Sequence, residues 1–262
     1  MTDWHSQDEV NKDGAAFNRL IHVLLGLYLW EWCTSLEFDW DFVSGKRVFR
    51  WPMIFYFLNR YCLLFALVGI TIALNVTSQI DCQSLYAFNQ TFGNASIGLA
   101  SINLALRTIA VWNRRRSIWL PLLAMILGHW ALLLRGIKLK AEWDPLQGCI
   151  ITSTNSRFLA AIFIYSMILD LTVLCLMAYK LNSFPTGGES KLVSLIFKDG
   201  LVYFVIAFLS NLLATIFMLL ALNPVMSIIA DVPAAISSTI VACRVVRRLS
   251  NYDRSFDEII VH

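Results

Sequence analysis

Apolar residues gather into seven stretches, at 20–38, 52–76, 95–112, 117–137, 158–181, 200–222 and 225–246, with polar connections between them. A helix of about 20 apolar residues crosses a hydrocarbon layer about 30 Å thick. The pattern therefore predicts an all-α fold, an integral membrane bundle of seven transmembrane helices. A tail at 1–19, a membrane domain at 20–246 and a second tail at 247–262 make up the chain. The first stretch is the least apolar, because His22 and Glu31 interrupt it. The preceding residues are acidic (Asp3, Asp8, Glu9, Asp13) and no small-residue cleavage site follows, so it reads as a span and not as a signal peptide. Pro52 opens the second stretch where a missing N–H costs nothing. The connection at 222–225 is so short that the last two helices are expected to form an antiparallel hairpin. The period-2 segment from Glu37 to Phe42 reads as interfacial, rings at headgroup level and acids toward water. The run at 185–191 reads as a flexible linker.

Composition agrees: 58% of the 262 residues are apolar and 15% charged, against roughly 25% charged in soluble domains. A disordered chain is excluded. The net charge of +3 gives no reason to expect a nucleic-acid partner. Its distribution says more. With the N-terminus outside, the outer segments hold five Lys and Arg (Lys12, Arg19, Lys138, Lys140, Arg157). The inner ones hold eleven (Lys46, Arg47, Arg50, Arg114, Arg115, Arg116, Lys191, Lys198, Arg247, Arg248, Arg254). Basic residues stay inside, so the N-terminus is expected outside and the C-terminus inside. Three sequons, at Asn75, Asn89 and Asn94, fall on the outer side, and Asn89 is the expected glycosylation site. Cys82 and Cys149 also lie in outer polar connections, where a disulfide persists. The remaining cysteines form no zinc-like spacing. No metal set and no cofactor motif is present, and the partners expected are the bilayer itself and a small apolar ligand.

Charged side chains within spans cost at least about 2.5–3.5 kcal/mol each on insertion scales. Glu31, Arg60, Arg107 and Asp170 are such residues. Counted at about 1.5 Å per residue, they share an inner slab roughly 7 Å thick. Expected pairs are Glu31 with Arg60, and Arg107 with Asp170 or Glu31. Such pairs fix helix rotation and register, or form a switch or catalytic centre. Asp231 sits nearer the outer side, before Pro233, at the depth of no arginine. An outer pocket of His22, Asp231 and His129 is one reading; a backbone cap beside Pro233 is the other. Gly98, Ser101 and Ala105 give the third span a small-residue face suited to a central helix.

Several chemistries find no support. No span near the C-terminus carries a mid-helix lysine, and His-Glu-x-x-His, Gly-x-Ser-x-Gly and phosphate-binding Gly loops are missing. The third span ends Trp112-Asn113-Arg114, unlike the acidic-Arg-Tyr of rhodopsin-like receptors, so the likeness to them is one of topology alone.

The stretches Tyr28-Leu-Trp30-Glu31-Trp32, Phe38-Asp39-Trp40, Gly45-Lys46-Arg47-x-Phe49-Arg50-Trp51-Pro52 and Tyr56-Phe57-x-x-Arg60-Tyr61 resemble uncharacterised multi-spanning proteins of basidiomycete fungi. Some of these carry a domain of unknown function near the first spans. The resemblance continues through Cys82-Gln83-x-Leu85-Tyr86, Leu106-Arg107-Thr108, His129-Trp130-Ala131-Leu132 and Gly148-Cys149. It implies a fold and a fungal source but no chemistry.

Two functions are set against each other. The first is a receptor-like or sensor-type protein of the plasma membrane or an endomembrane. Buried ion pairs would be its two-state element, and its basic inner loops would meet anionic lipid or a cytosolic partner. The alternative is an intramembrane enzyme, terpenoid or lipid cyclase-like, using Glu31, Asp170 or Asp231 as a protonated acid.

Overall fold

A computed structural model describes residues 6–136, 140–144, 148–153, 156–182, 191–220 and 223–261. The described residues form helices α1 (Gln7–Thr34), α2 (Leu36–Val43), α3 (Met53–Asn75), α4 (Cys82–Val111) and α5 (Arg116–Arg135). A hairpin, β1 (Lys140–Asp144) and β2 (Gly148–Ser153), follows, then α6 (Ser156–Asn182), α7 (Lys191–Leu220), α8 (Pro224–Ile228) and α9 (Asp231–Val261). The protein is all-helical apart from that antiparallel hairpin, in which Trp143 lies opposite Cys149. Six helices, α3 to α7 and α9, are long and apolar enough to cross a membrane. This is a multi-pass membrane protein. Helix α1 is as long as its neighbours but more polar. Of the expected linker at 185–191 only Lys191 is described, and the 222–225 connection is described from Asn223 onward.

The β1–β2 hairpin, the short α8 and the continuation of α9 to Val261 through the expected tail depart from the sequence expectation, and α1, α4 and α2 do so for local reasons. Helix α1 starts at Gln7, well inside the expected tail. Ser6 Oγ accepts from the Glu9 amide, and Asp8 and Glu9 occupy the positive first turn. Ser-x-x-Glu is a capping-box signature, so helix formation starts before the apolar run does. Helix α4 starts at Cys82, about three turns before its expected span. Asp81 caps it, accepting from the Ser84 amide at 3.1 Å and the Ser84 hydroxyl at 2.5 Å. Those bonds hold the Asp81 carboxyl below the usual carboxylate range. Two of the polar residues that suggested a loop are buried against other helices: Asn89 lies against Gly69 of α3, and Asn94 Nδ2 donates to the Leu133 carbonyl of α5 at 2.9 Å. The Glu37–Phe42 segment is helix α2, with Phe38 and Asp39 buried and Trp40 and Val43 exposed.

Helix α4 is the central element, packed on α3, α5, α6 and α9. Its small residues permit this. A Cβ on Gly98 would lie 2.9 Å from the Trp130 ring of α5, and Ser101 and Ala105 are buried. One core cluster unites Leu104 of α4, Leu122 of α5, Val173 of α6, Phe204 of α7 and Ala242 of α9. Another joins Tyr28 of α1, Leu63 and Leu67 of α3 and Ile236 of α9. Asn113 and Arg114, at φ 50° and 54°, turn the chain from α4 into α5.

Cys82 and Cys149 are disulfide-bonded as expected, with Cα atoms 5.5 Å apart. The bridge pins β2 to the start of α4 beside Ala141, and Gln83 Oε1 accepts from the Ala141 amide at 2.9 Å. It closes a loop spanning 67 positions, and such bridges typically contribute about 2–4 kcal/mol. Cys82→Ser is expected to lower the thermal midpoint in detergent accordingly and to make Cys149 alkylatable. Alkylation of Cys149 in unreduced wild-type protein would show the bond to be absent.

Candidate functional site

The charged residues converge where α1, α2, α3 and α9 meet, at the end away from the disulfide. Helix α1 stops at Thr34 with no basic residue in its last turn to meet its free carbonyls. Arg60 of α3 supplies that charge. Its Nη2 donates to the Trp32 carbonyl and its Nη1 to Ser35 Oγ, both at short range. The break at Ser35 turns α2 back toward α3, which brings Asp39 Oδ2 to 3.1 Å from Arg60 Nε. That contact is an ion pair whose N–H is not aimed for a hydrogen bond. Tyr56 donates to Asp39 Oδ1 at 3.0 Å, and Tyr28 donates to the Arg60 carbonyl at 2.7 Å. The guanidinium is 3% exposed, so these contacts replace its hydration. Asp39 lies outside the membrane-spanning segments. Burial pushes its carboxyl above the ordinary range, and Arg60 and Tyr56 oppose that rise.

Glu31 therefore does not pair with Arg60. It turns to α9, where Arg244 donates to both its oxygens (3.1 and 2.5 Å) and Arg247 Nη2 donates to Oε1 at 2.6 Å. The expected partner was wrong because α1 was read as straight through residue 38. With the helix broken at Ser35, Asp39 and the α1 carbonyls occupy Arg60 first. A signal for the true partners was present: Arg244 and Arg247, three apart on one helix, share a face.

The Arg107–Asp170 pair does not form either. Asp170 of α6 is buried and turned to α7, where Asn211 Nδ2 donates to its Oδ2 at 2.5 Å. Arg107 lies over the Phe204 ring, 5.8 Å from its centroid. Asn211, a polar residue inside an apolar run, was the overlooked partner. The outer pocket of His22, Asp231 and His129 is likewise not assembled. His22 is exposed on α1 and meets Asn75 of α3 at 3.2 Å. His129 of α5 is fully buried and shares a 2.7 Å hydrogen bond with Ser166 of α6. Asp231 is the first residue of α9, its Oδ1 shut from solvent without a hydrogen-bond partner among the described residues. Asn89 is buried in α4 against Gly69 of α3, so the folded protein does not present it for glycosylation.

Two cavities border the cluster. One is a polar groove of about 630 Å³, lined by Ser35, Glu37, Asp41, Arg47, Tyr203, Arg244, Arg247, Arg248 and Asn251 among others. The other, about 10 Å³, lies between Tyr28, Glu31, Trp32, Arg60, Thr239, Cys243 and Arg247, at the lower limit for one water molecule. Among the described residues no group of three or more His, Cys, Asp or Glu is placed to hold a metal ion. Compared with known proteins, the chain matches no family model and no curated sequence. Function is therefore argued from this cluster.

A double-mutant cycle tests the pairing. Glu31→Gln with Arg247→Met, and Asp39→Asn with Arg60→Met, are each expected to show coupling of about 0.5–3 kcal/mol in detergent stability. Glu31→Gln with Arg60→Met should couple less than either. Equal or stronger coupling in that third cycle would restore the Glu31–Arg60 pair.

Proposed function

We propose that the chain is a receptor-like or sensor-type membrane protein, related to the seven-helix proteins of basidiomycete fungi that it resembles. All seven long helices cross the bilayer, with the N-terminus outside and the disulfide-tied face toward the outside. Helix α1 is the seventh span despite its polarity. The acid in its last turn, Glu31, is neutralised by α9, which lowers the cost of burying it.

One observation carries the reading: the Glu31–Arg244/Arg247 contact is a polar latch between the first and last long helices at the inner end, beside an open groove. Its outer arm, Arg244, is 48% exposed at the rim of the groove and can be released to water, while Arg247 holds Glu31 from within, so the contact can exist fully or partly closed. That is the element a sensor needs. Acid catalysis needs a carboxyl on an enclosed apolar cavity. Asp170 accepts from Asn211 and Glu31 is held by two arginines, while Asp231, whose Oδ1 has no hydrogen-bond partner among the described residues, lines neither of the two cavities beside the cluster. The sensor reading is the better supported.

Spin labels at Val43→Cys on α2 and Leu249→Cys on α9, with Cys33 and Cys175 changed to Ser, report the latch. Wild type is expected to give one dominant distance, and Glu31→Gln a second, longer population with the disulfide intact. An unchanged single distance in Glu31→Gln would show the contact to be architecture alone. In intact cells an N-terminal epitope should be reached by antibody and a C-terminal one should not. Both termini on one side would leave six spans.

A further inference from the structure

We propose that the groove between the inner ends of α1, α2, α7 and α9 is a binding site for the phosphate headgroup of an anionic membrane lipid. The inference rests on the chain being embedded in a membrane, and it stands whether or not the latch acts as a sensor.

Recognition would start from α9. Arg244, Arg247, Arg248 and Asn251 follow one another at i, i+3, i+4 and i+7, so they line a single face, and all four border the groove. Arg47, from the connection after α2, closes the opposite wall and donates to Asn251 Oδ1 at 2.8 Å. Four guanidiniums therefore converge on one cavity, and each carries five N–H donors in a planar fork that matches phosphate oxygens. For Arg47, Arg244 and Arg247 the described acids engage only some of the N–H donors, and Arg248 lies over the Tyr203 ring, 5.3 Å from its centroid. Glu31 accepts from Arg244 and Arg247, and Asp41 accepts from Arg47 Nε at 3.1 Å. Arg247 Nη1 is shut off from solvent and has no hydrogen-bond partner. An oxyanion entering the groove meets first the forks of Arg244 and Arg248, which are the exposed ones.

The flanking segment identifies the source of the anion. The chain from α2 to α3 exposes Trp40, Val43, Val48, Phe49 and Trp51, with Val48 at 84%. These residues alternate with the groove's own Asp41 and Arg47. Exposed tryptophans beside basic residues sit at the headgroup level of a bilayer. The groove then opens at the depth of the lipid phosphates, which favours a lipid over a soluble phosphate. Glu37, exposed on the rim, is the one wall acid not engaged by an arginine in the described contacts, and it opposes anion entry.

The test uses the full-length, delipidated protein in neutral detergent, titrated with phosphatidic acid or phosphatidylcholine, and counts bound lipid by native mass spectrometry. One saturable phosphatidic acid is expected, with phosphatidylcholine binding only at nonspecific levels. Arg244→Gln with Arg248→Gln should weaken phosphatidic acid binding about 25-fold, near fivefold per charge. Glu37→Gln, which removes no packing contact, should tighten it about fivefold. Inorganic phosphate at millimolar concentration should leave the bound lipid in place. Equal binding of the two lipids, wild-type affinity in the double variant, or no tightening in Glu37→Gln would each overturn the proposal. Displacement by inorganic phosphate would reassign the groove to a soluble anion.

Discussion

A guanidinium shut inside a helical bundle sets the terms for this fold. Arg60 cannot lose its proton, so the protein must surround it with acceptors or leave it in water. The chain meets the requirement by ending α1 one turn early and folding α2 back. The freed carbonyl of Trp32, the Ser35 hydroxyl and the Asp39 carboxylate then point at the same cation. One charge thus fixes the length of α1, the angle of α2 and the rotation of α3. The aromatic shell of Phe38, Phe42, Tyr56 and Phe57 packs edge-to-face around the junction and keeps it dry.

Glu31 is freed by that arrangement to bind α9. The two ion-pair groups stand side by side but differ in kind. Arg60 and Asp39 are enclosed, so separating them would strand a buried charge. Arg244 is 48% exposed, so water can replace it at small cost, whereas Glu31 and Arg247 are 15% and 14% exposed and hold the inner arm of the contact. The bundle therefore has a rigid charge contact and a yielding one within a few turns of each other.

Most of the architecture was legible in the sequence: the long helices and their order from the apolar stretches, the paired cysteines from their shared side, and the central position of α4 from Gly98, Ser101 and Ala105. What was hidden has a common cause. Hydropathy marks where a helix meets lipid, and it is silent where a helix meets another helix. Residues 7–19 open a capped helix before the apolar run begins, and in 82–94 Asn89 and Asn94 are polar yet buried against α3 and α5, so both segments read as tail and loop. Pairing was misjudged for a different reason. Depth along a helix can be counted, but rotation and chain breaks cannot. Glu31 and Arg60 were placed at similar depth, yet the turn at Ser35 decided which acid Arg60 received. Asp170 found an uncharged partner, Asn211, which a search for opposite charges passes over.

The Cys82–Cys149 bond encloses α4, the turn at Asn113 and Arg114, and α5 within a covalent ring. Its two sulfurs come from opposite ends of an out-and-back excursion through the membrane. They can meet only after both helices have inserted and returned to the same surface. A chain whose α5 fails to cross leaves Cys149 in the other compartment, beyond reach of its partner. Oxidation of this pair is thus a record of correct insertion, written into the chain at the moment its central helices complete their passage.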